Sequence, residues 1–409
     1  MRRILLGVGL FIACLILKSG SVNAAEEEKP LAPGWFSLDC CVGVADKAIG
    51  NAKAVVEKAL GLSISGFLDG SFTWSSNHPR SPSNISGRYF DKDDSKVVFN
   101  NFNLTVDKPE KDWGVGFHIV GDFGRTGELL REATLWGKAL HKEPSAELRE
   151  AYLTTTIPIG EGLQVKGGKF VTPMGTEVLP APGAYNDNIS RSFAFNYGVP
   201  LTHTGVMVTY PFTKILSANA ALITGWDDPY DNNHVPSFMG GINFTPADAF
   251  ALASNIMVGP EQWGKDGRQR VTWSNVATIK PIDPLTMYVE YTLGAEGMAP
   301  TPTGTQDSWW HALSVIGSYN WTERFNTALR GELFYDAQGS RVGGFPSNKP
   351  ISNAALGEFT LTTSDKFTKR LLGRAEVRQD WANRTVFLRG NSTVDNAQTT
   401  LAVQLIYTF

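Results

Sequence analysis

The sequence is poor in charge. Asp, Glu, Lys and Arg make up only 19% of its 409 residues, and the two signs nearly cancel at a formal net charge of -3. That balance gives no signal of nucleic-acid binding. Cysteine is scarcer still, with Cys14, Cys40 and Cys41 alone. Cys14 lies in a leading apolar stretch and the other two are adjacent, so neither a disulfide framework nor a CxxC metal spacing can be drawn. The six histidines, at 78, 118, 141, 203, 234 and 311, are scattered, and no GxSxG occurs. A lipase or protease needs a nucleophile beside a His at one rim. No catalytic residue, metal ligand or cofactor is therefore expected, and the chain does not read as an enzyme. Beyond the leader there is no run of about 20 apolar residues, which excludes a membrane-spanning helix.

The leader itself, residues 1–24, has the parts of a secretory signal. Arg2 and Arg3 precede an apolar stretch over 5–17, and Val22-Asn23-Ala24 offers small residues before a cut. Without Arg2, Arg3 and Lys18 the net charge moves from -3 to -6. Residues 25–60 follow as a periplasmic segment. Within it 45–60 places Ala, Ile, Val and Leu at helical spacing between lysines, which predicts a short amphipathic helix. Cys40 and Cys41 fall in this segment and acquire no role.

From residue 61 the texture changes. The chain is rich in Gly, with 41, and in Trp, with 11, as strands with small inward residues and aromatic rims require. Segments of alternating apolar and polar residues recur at 62–74, 102–106, 113–123, 151–157, 163–170, 204–210, 216–226, 238–244, 250–258, 271–279, 285–293, 309–321, 325–335, 355–363, 371–381 and 399–409. In the last, TTLAVQLIYTF, Leu401, Val403, Leu405, Tyr407 and Phe409 share one face. Sixteen segments are an even number, as a closed up-and-down antiparallel barrel requires. The reading is an all-β transmembrane barrel over 61–409, with Phe409 as the barrel-closing terminal residue.

The connections support it. Every second one is a short turn: 107–111, 160–162, 211–214, 246–248, 281–284, 322–323 and 364–368. Between them lie longer polar stretches: 77–94, 124–146, 172–201, 227–235, 259–267, 294–307, 337–352 and 382–397. Periplasmic turns and external loops alternate in this way. Trp74, Phe123, Trp226, Tyr335 and Trp381 fall beside long connections, and Phe212, Phe244, Phe325 and Phe409 beside short ones, as two interfacial belts would.

Sixteen strands are wide enough to enclose water. By strand parity the pore-lining side chains are Asp69, His118, Asp122, Lys166, Glu290, Arg330, Glu332, Arg374, Glu376, Arg378 and Asp380. A charge facing lipid at mid-membrane costs roughly 2–4 kcal/mol. Lys169 falls on the wrong face unless Gly167-Gly168 carries a bulge. Arg330, Arg374 and Arg378 form a candidate basic ladder among acidic neighbours, which would set a field across the lumen or simply pair with them. The longest connection, 172–201, contains Phe193, Phe195 and Tyr197, too apolar for a loop in water. It is expected to fold inward, with Glu177, Asp187 and Arg191 as the pore constriction.

The runs GGKFVTPMG and NDNISRSFAFNYGVPLTHTGV, within residues 167–206, resemble the second described type of bacterial β-barrel porin. The resemblance implies an integral outer-membrane porin with no catalytic motif and no assigned substrate. The third-loop placement also resembles the constriction loop of general trimeric porins, which makes a homotrimer a candidate assembly. The function expected is a passive diffusion channel for small hydrophilic solutes or ions, embedded in outer-membrane lipid. The rival is a structural or adhesin-type barrel with a closed lumen. A plugged, energy-coupled transporter is excluded, because it needs about 22 strands and a folded plug domain.

Overall fold

A computed structural model describes Lys53, Glu57 and residues 59–80, 84–110, 114–133, 145–347 and 349–409. The leader and Cys40-Cys41 lie outside the described residues. So does most of the segment 45–60, of which Lys53, Glu57, Ala59 and Leu60 are described and helical.

Sixteen antiparallel strands close into one barrel. In chain order they are β1 (Ser63–Ser75), β2 (Lys96–Lys108), β3 (Gly116–Phe123), β4 (Ala146–Ile157), β5 (Leu163–Val171), β6 (Thr202–Pro211), β7 (Leu216–Ile223), β8 (Ser237–Ala247), β9 (Phe250–Gln262), β10 (Lys265–Ile282), β11 (Leu285–Thr301), β12 (Gly304–Asn320), β13 (Phe325–Asp336), β14 (Ala354–Lys366) and β15 (Leu371–Ala382). A two-stranded hairpin, β16 (Phe387–Arg389) with β17 (Thr393–Asp395), stands in the last external loop. The closing strand is β18 (Ala397–Thr408), which pairs with β15 on one side and β1 on the other. Phe409 exchanges backbone hydrogen bonds with Gly66, and its ring stacks on Phe102 at 6.1 Å. Closure leaves no edge of the barrel wall unpaired, a condition set by hydrocarbon, which offers backbone amides no partner.

The solvent makes the usual pattern read inside out. On β13, Leu329 and Leu333 point outward and are exposed, while Arg330 and Glu332 between them are buried. Outward leucines face lipid, so exposure here is burial in hydrocarbon, worth about 25 cal/mol per Å² of apolar area.

Two register details depart from expectation. β4–β5 pairing runs unbroken through Gly167 and Gly168, so no bulge rescues Lys169. It stays on the outward parity near the external rim, where its ammonium pairs with the Glu147 carboxylate and donates to the Leu148 carbonyl at 2.9 Å. The irregularity lies one strand earlier. Val120 pairs with Glu150 and Gly121 with Leu148, so Arg149 is the extra residue. That bulge lets Leu148 face outward while Arg149 and Glu150 are buried.

The second departure concerns external loops. The stretches 259–267 and 294–307 are strands, not loops: β9 turns into β10 through Trp263-Gly264, and β11 into β12 through Pro302-Thr303. Gly264 and Gly304 supply the positive φ, +62° and +121°, that these tight turns need. Above the membrane both sheet faces are wet, so alternation fades and polar sequence looks like loop. The second external loop carries α1 (Arg125–Ala133).

Candidate functional site: a loop clasped inside the barrel

The connection 172–201 folds into the barrel and lies against the wall of β10–β15. Its own backbone makes most of the attachment. Gly175 N–H donates to Ser274 Oγ at 3.0 Å and Thr176 N–H to Glu290 at 2.8 Å. Ile189 and Ser190 N–H both reach Glu376, at 2.6 and 3.0 Å. Phe193 and Ala194 N–H reach the two oxygens of Glu332, each at 2.6 Å. Arginines serve the carbonyls. Arg374 donates to Asn186 O at 2.5 Å, Arg330 to Ser190 O at 2.7 Å and Arg378 to Arg191 O at 2.6 Å. Apart from one helical turn at Ala194–Gly198 the loop has little regular structure, and it cannot be buried with its amides unpaired, so polar wall side chains take the place of a sheet.

This changes what the charged wall does. Arg330, Glu332, Arg374, Glu376, Arg378 and Asp380 occupy inward positions, but all are buried rather than lining water, the first five beneath the loop and Asp380 against the first external loop. Arg330 holds Glu358 at 2.6 Å and Glu177 at 2.9 Å. Arg378 holds Asp380 at 2.6 Å, and Asp380 also holds Arg88 of the first external loop at 3.0 Å. The basic ladder is a clasp. Glu290 is likewise buried under Thr176. Asp69 is buried too, accepting both contacts of Gln404 at 2.8 Å, as is Asp122, which accepts from Asn101 and Asn103 and forms an ion pair with Arg149 at 3.3 Å.

The three constriction residues divide. Glu177 and Asp187 line a cavity of about 170 Å³ on the short-turn side of the loop, shared with Tyr185, Tyr288 and Ile316. Arg191 does not join them; it is buried against the Phe195 ring at 5.6 Å and donates to Ile189 O. An apolar neighbour within its own loop takes it out of the water.

The opposite wall differs. On β3–β5 the inward His118, Tyr152 and Lys166 are only half-buried. His118 stacks on Tyr152 at 4.9 Å, Lys166 lies over the same ring at 4.6 Å, and Asp107 pairs with His118. Thr154, Thr209, Asn219 and Asn243 continue this partly open polar face to β8.

On the external side a second cavity, about 260 Å³, lies over the loop. Trp226 lines it, not the lipid belt expected, because β7 ends at Ile223 and the chain turns inward. Its ring is flanked by Arg270 at 4.9 Å and Arg341 at 4.8 Å. Asp227 follows with φ +60°, and its Oδ1 accepts the N–H of Leu201 at 2.6 Å and of Thr202 at 2.9 Å. Burial pushes the Asp227 carboxyl up to about 6 and lowers the Arg341 guanidinium to about 10. Sequence parity missed Arg88, Glu358 and Arg341. Glu358 could have been found, since it follows the inward parity of β14; the two arginines sit in loops, where parity says nothing.

The geometry, a closed barrel with an internal third loop, agrees with the comparisons. Residues 61–409 match the model of the family described as "Putative beta-barrel porin-2, OmpL-like". The chain belongs to this family. It is an integral outer-membrane porin. Its fold is similar to the outer-membrane channel DcaP of Acinetobacter baumannii, at 14% identity over 85% of this chain and 97% of that one, with a TM-score of 0.59. It is similar also to the trimer form of OmpT of Vibrio cholerae, at 11% identity over 85% and 99%, TM-score 0.57. The anion-selective porin of Comamonas acidovorans matches at 9% identity over 85% and 99%, TM-score 0.55. No curated protein matches the chain.

Proposed function

We propose that this porin is a passive diffusion channel for small hydrophilic solutes or ions, with the loop 172–201 as its size filter. The observation that carries the reading is the asymmetry of the lumen. The loop lies on β10–β15, while the polar face of β3–β8 remains partly open, and cavities lie on both sides of the loop. The solute path then runs between the loop and that open face, past Lys166, His118, Glu177 and Asp187. The half-exposed Lys166, lying over Tyr152, and Asp187 on the loop would weight selectivity in opposite senses, the charge of Glu177 being met by Arg330.

The porin reading carries no catalytic role for any residue. Residues 1–24 would be removed after export, with 25–60 left in the periplasm, and N-terminal sequencing of the membrane-extracted protein tests this. A homotrimer is the assembly proposed, by likeness to the trimer form of OmpT. Chemical cross-linking in native membranes distinguishes it from a monomer.

The channel is tested by single-channel recording of the refolded protein in a planar bilayer, in potassium chloride with a salt gradient. Discrete steps are expected, and the reversal potential gives the sign of selectivity. A correctly folded, heat-modifiable barrel that gives no steps would favour the rival, a closed-lumen structural barrel. The dense burial of the loop against β13–β15 is the observation on that side.

A further inference from the structure

The external cavity over the loop is lined by charges of both signs that do not meet. Arg341 sits in the corner between the perpendicular rings of Trp226, at 4.8 Å, and Trp310, at 4.9 Å, and its Nε donates to Tyr197 O at 2.6 Å. Two rings and one hydrogen bond restrain the guanidinium and use one edge. Among the described residues no carboxylate is in ion-pair contact with it, and no acceptor is bonded to its two Nη atoms. Asp227 lines the same cavity and spends only Oδ1 on the protein backbone; no described donor is bonded to Oδ2. A third charge, Glu132 on α1, lines the cavity and is engaged with Lys92 at 3.5 Å.

An ion pair left apart in this way selects by charge pattern. A simple anion would find Arg341 but meet two carboxylates, and a simple cation would meet Arg341. A solute bearing both charges satisfies each. The remaining lining includes Phe90, Val199 and Leu201, which suit a hydrocarbon body. We infer that this cavity is an entry site for a zwitterionic α-amino acid with an apolar side chain. Its carboxylate would take the open Nη edge of Arg341 in a bidentate pair, its ammonium would donate to Asp227 Oδ2, and its side chain would lie toward Phe90 and Leu201. A guanidinium already restrained by two rings and a hydrogen bond loses little freedom on pairing, which favours this use of Arg over Lys.

The inference rests on the reading that solutes enter through this vestibule, but its test does not require conduction. L-Leucine is titrated calorimetrically into the full-length protein folded in detergent micelles. Saturable binding is expected, weakened about tenfold or more in Arg341→Gln and in Asp227→Asn, as loss of one charge-assisted contact implies. Leucine methyl ester, which lacks the carboxylate, and isocaproate, which lacks the ammonium, should bind the native protein about tenfold more weakly. These two probes carry the test even if a substituted protein fails to fold. Absence of saturable leucine binding overturns the inference. So does isocaproate binding as well as leucine, which would make the cavity a plain anion site. Channel steps without leucine binding sink this site alone; leucine binding without steps sinks the diffusion reading alone.

Discussion

The N–H of Phe193 donates to the Glu332 carboxylate at 2.6 Å, joining the middle of the internal loop to strand β13. The other oxygen of Glu332 takes the neighbouring Ala194 N–H at the same distance. One strand side chain thus supplies both acceptors that a buried turn of loop needs. Glu376 repeats the arrangement with Ile189 and Ser190. Two carboxylates place the loop.

Glu332→Ala should release that part of the loop without opening the barrel. A hydrogen bond to a charged group contributes roughly 1.5–3 kcal/mol, and the two N–H groups would be left buried and unpaired. Limited proteolysis should cut within 172–201 far faster than in the parent, while heat-modifiable migration in gels is unchanged. Equal protease resistance would show that Glu332 is not an anchor.

Arg330→Met should destabilise the whole barrel. Arg330 is fully buried between Glu358 and Glu177, and its removal leaves Glu177 without its cation and Glu358 with only Arg378 at 3.6 Å. Breaking a buried pair on one side costs about 3–5 kcal/mol. Urea unfolding in lipid vesicles measures it. The double variant Arg330→Met with Glu358→Leu should recover part of the loss, because no uncompensated charge then remains at that pair.

Gly294→Ala tests a contact between strands. A Cβ at Gly294 would lie 2.1 Å from the ring of Trp310, a fully buried side chain with no room to retreat. Overpacking of this kind typically costs about 1–3 kcal/mol. Loss of Trp310 rigidity should also show as a broadened near-ultraviolet dichroism band. An unchanged unfolding midpoint would mean that the wall yields there.

Acid should weaken leucine binding at the vestibule. Asp227 has a carboxyl pushed up to about 6, so it is mostly ionised at pH 7.5 and mostly neutral at pH 5. Arg270 and Arg341 pull its proton off, while Glu261 acts against them. Glu147, Arg149 and Lys169 face it across a small neighbouring cavity. Arg341, lowered only to about 10, stays cationic throughout. Affinity should therefore fall about tenfold at one pH unit below the Asp227 value, following the ionised fraction. Calorimetry at pH 5 and 7.5 decides it; flat or rising affinity at pH 5 would contradict the role of Asp227.

The barrel was legible because period two is a strong local signal and hydrocarbon enforces it. Each of the sixteen alternating segments corresponds to a strand, and the apolarity of Phe193 and Phe195 was enough to send their loop inward. What parity could not supply was the difference between facing the lumen and facing water. Arg330 and Arg378 point inward by the same rule as Lys166, yet the loop covers the first two and leaves the third partly open. That depends on where thirty loop residues lie, which rests on long-range bonds such as Arg378 to Arg191 O. The same limit hid the vestibule. Trp226 looked like a belt residue because it stands three residues beyond the end of a strand with outward-facing side chains such as Leu222. Arg341 stands in a loop, where no periodicity marks it.

The most direct measurement compares single-channel conductance of the native chain with that of a variant lacking 176–186. Those residues lie on the loop beside the cavity lined by Asp187 and Tyr288, and they exclude most of the strongest anchors, Ile189, Ser190, Phe193 and Ala194. If the loop is the filter, the variant keeps discrete steps and each step grows, because a wider constriction conducts more ions. Steps of unchanged size from a correctly folded variant would contradict the account, and would place the narrowest point elsewhere in the barrel.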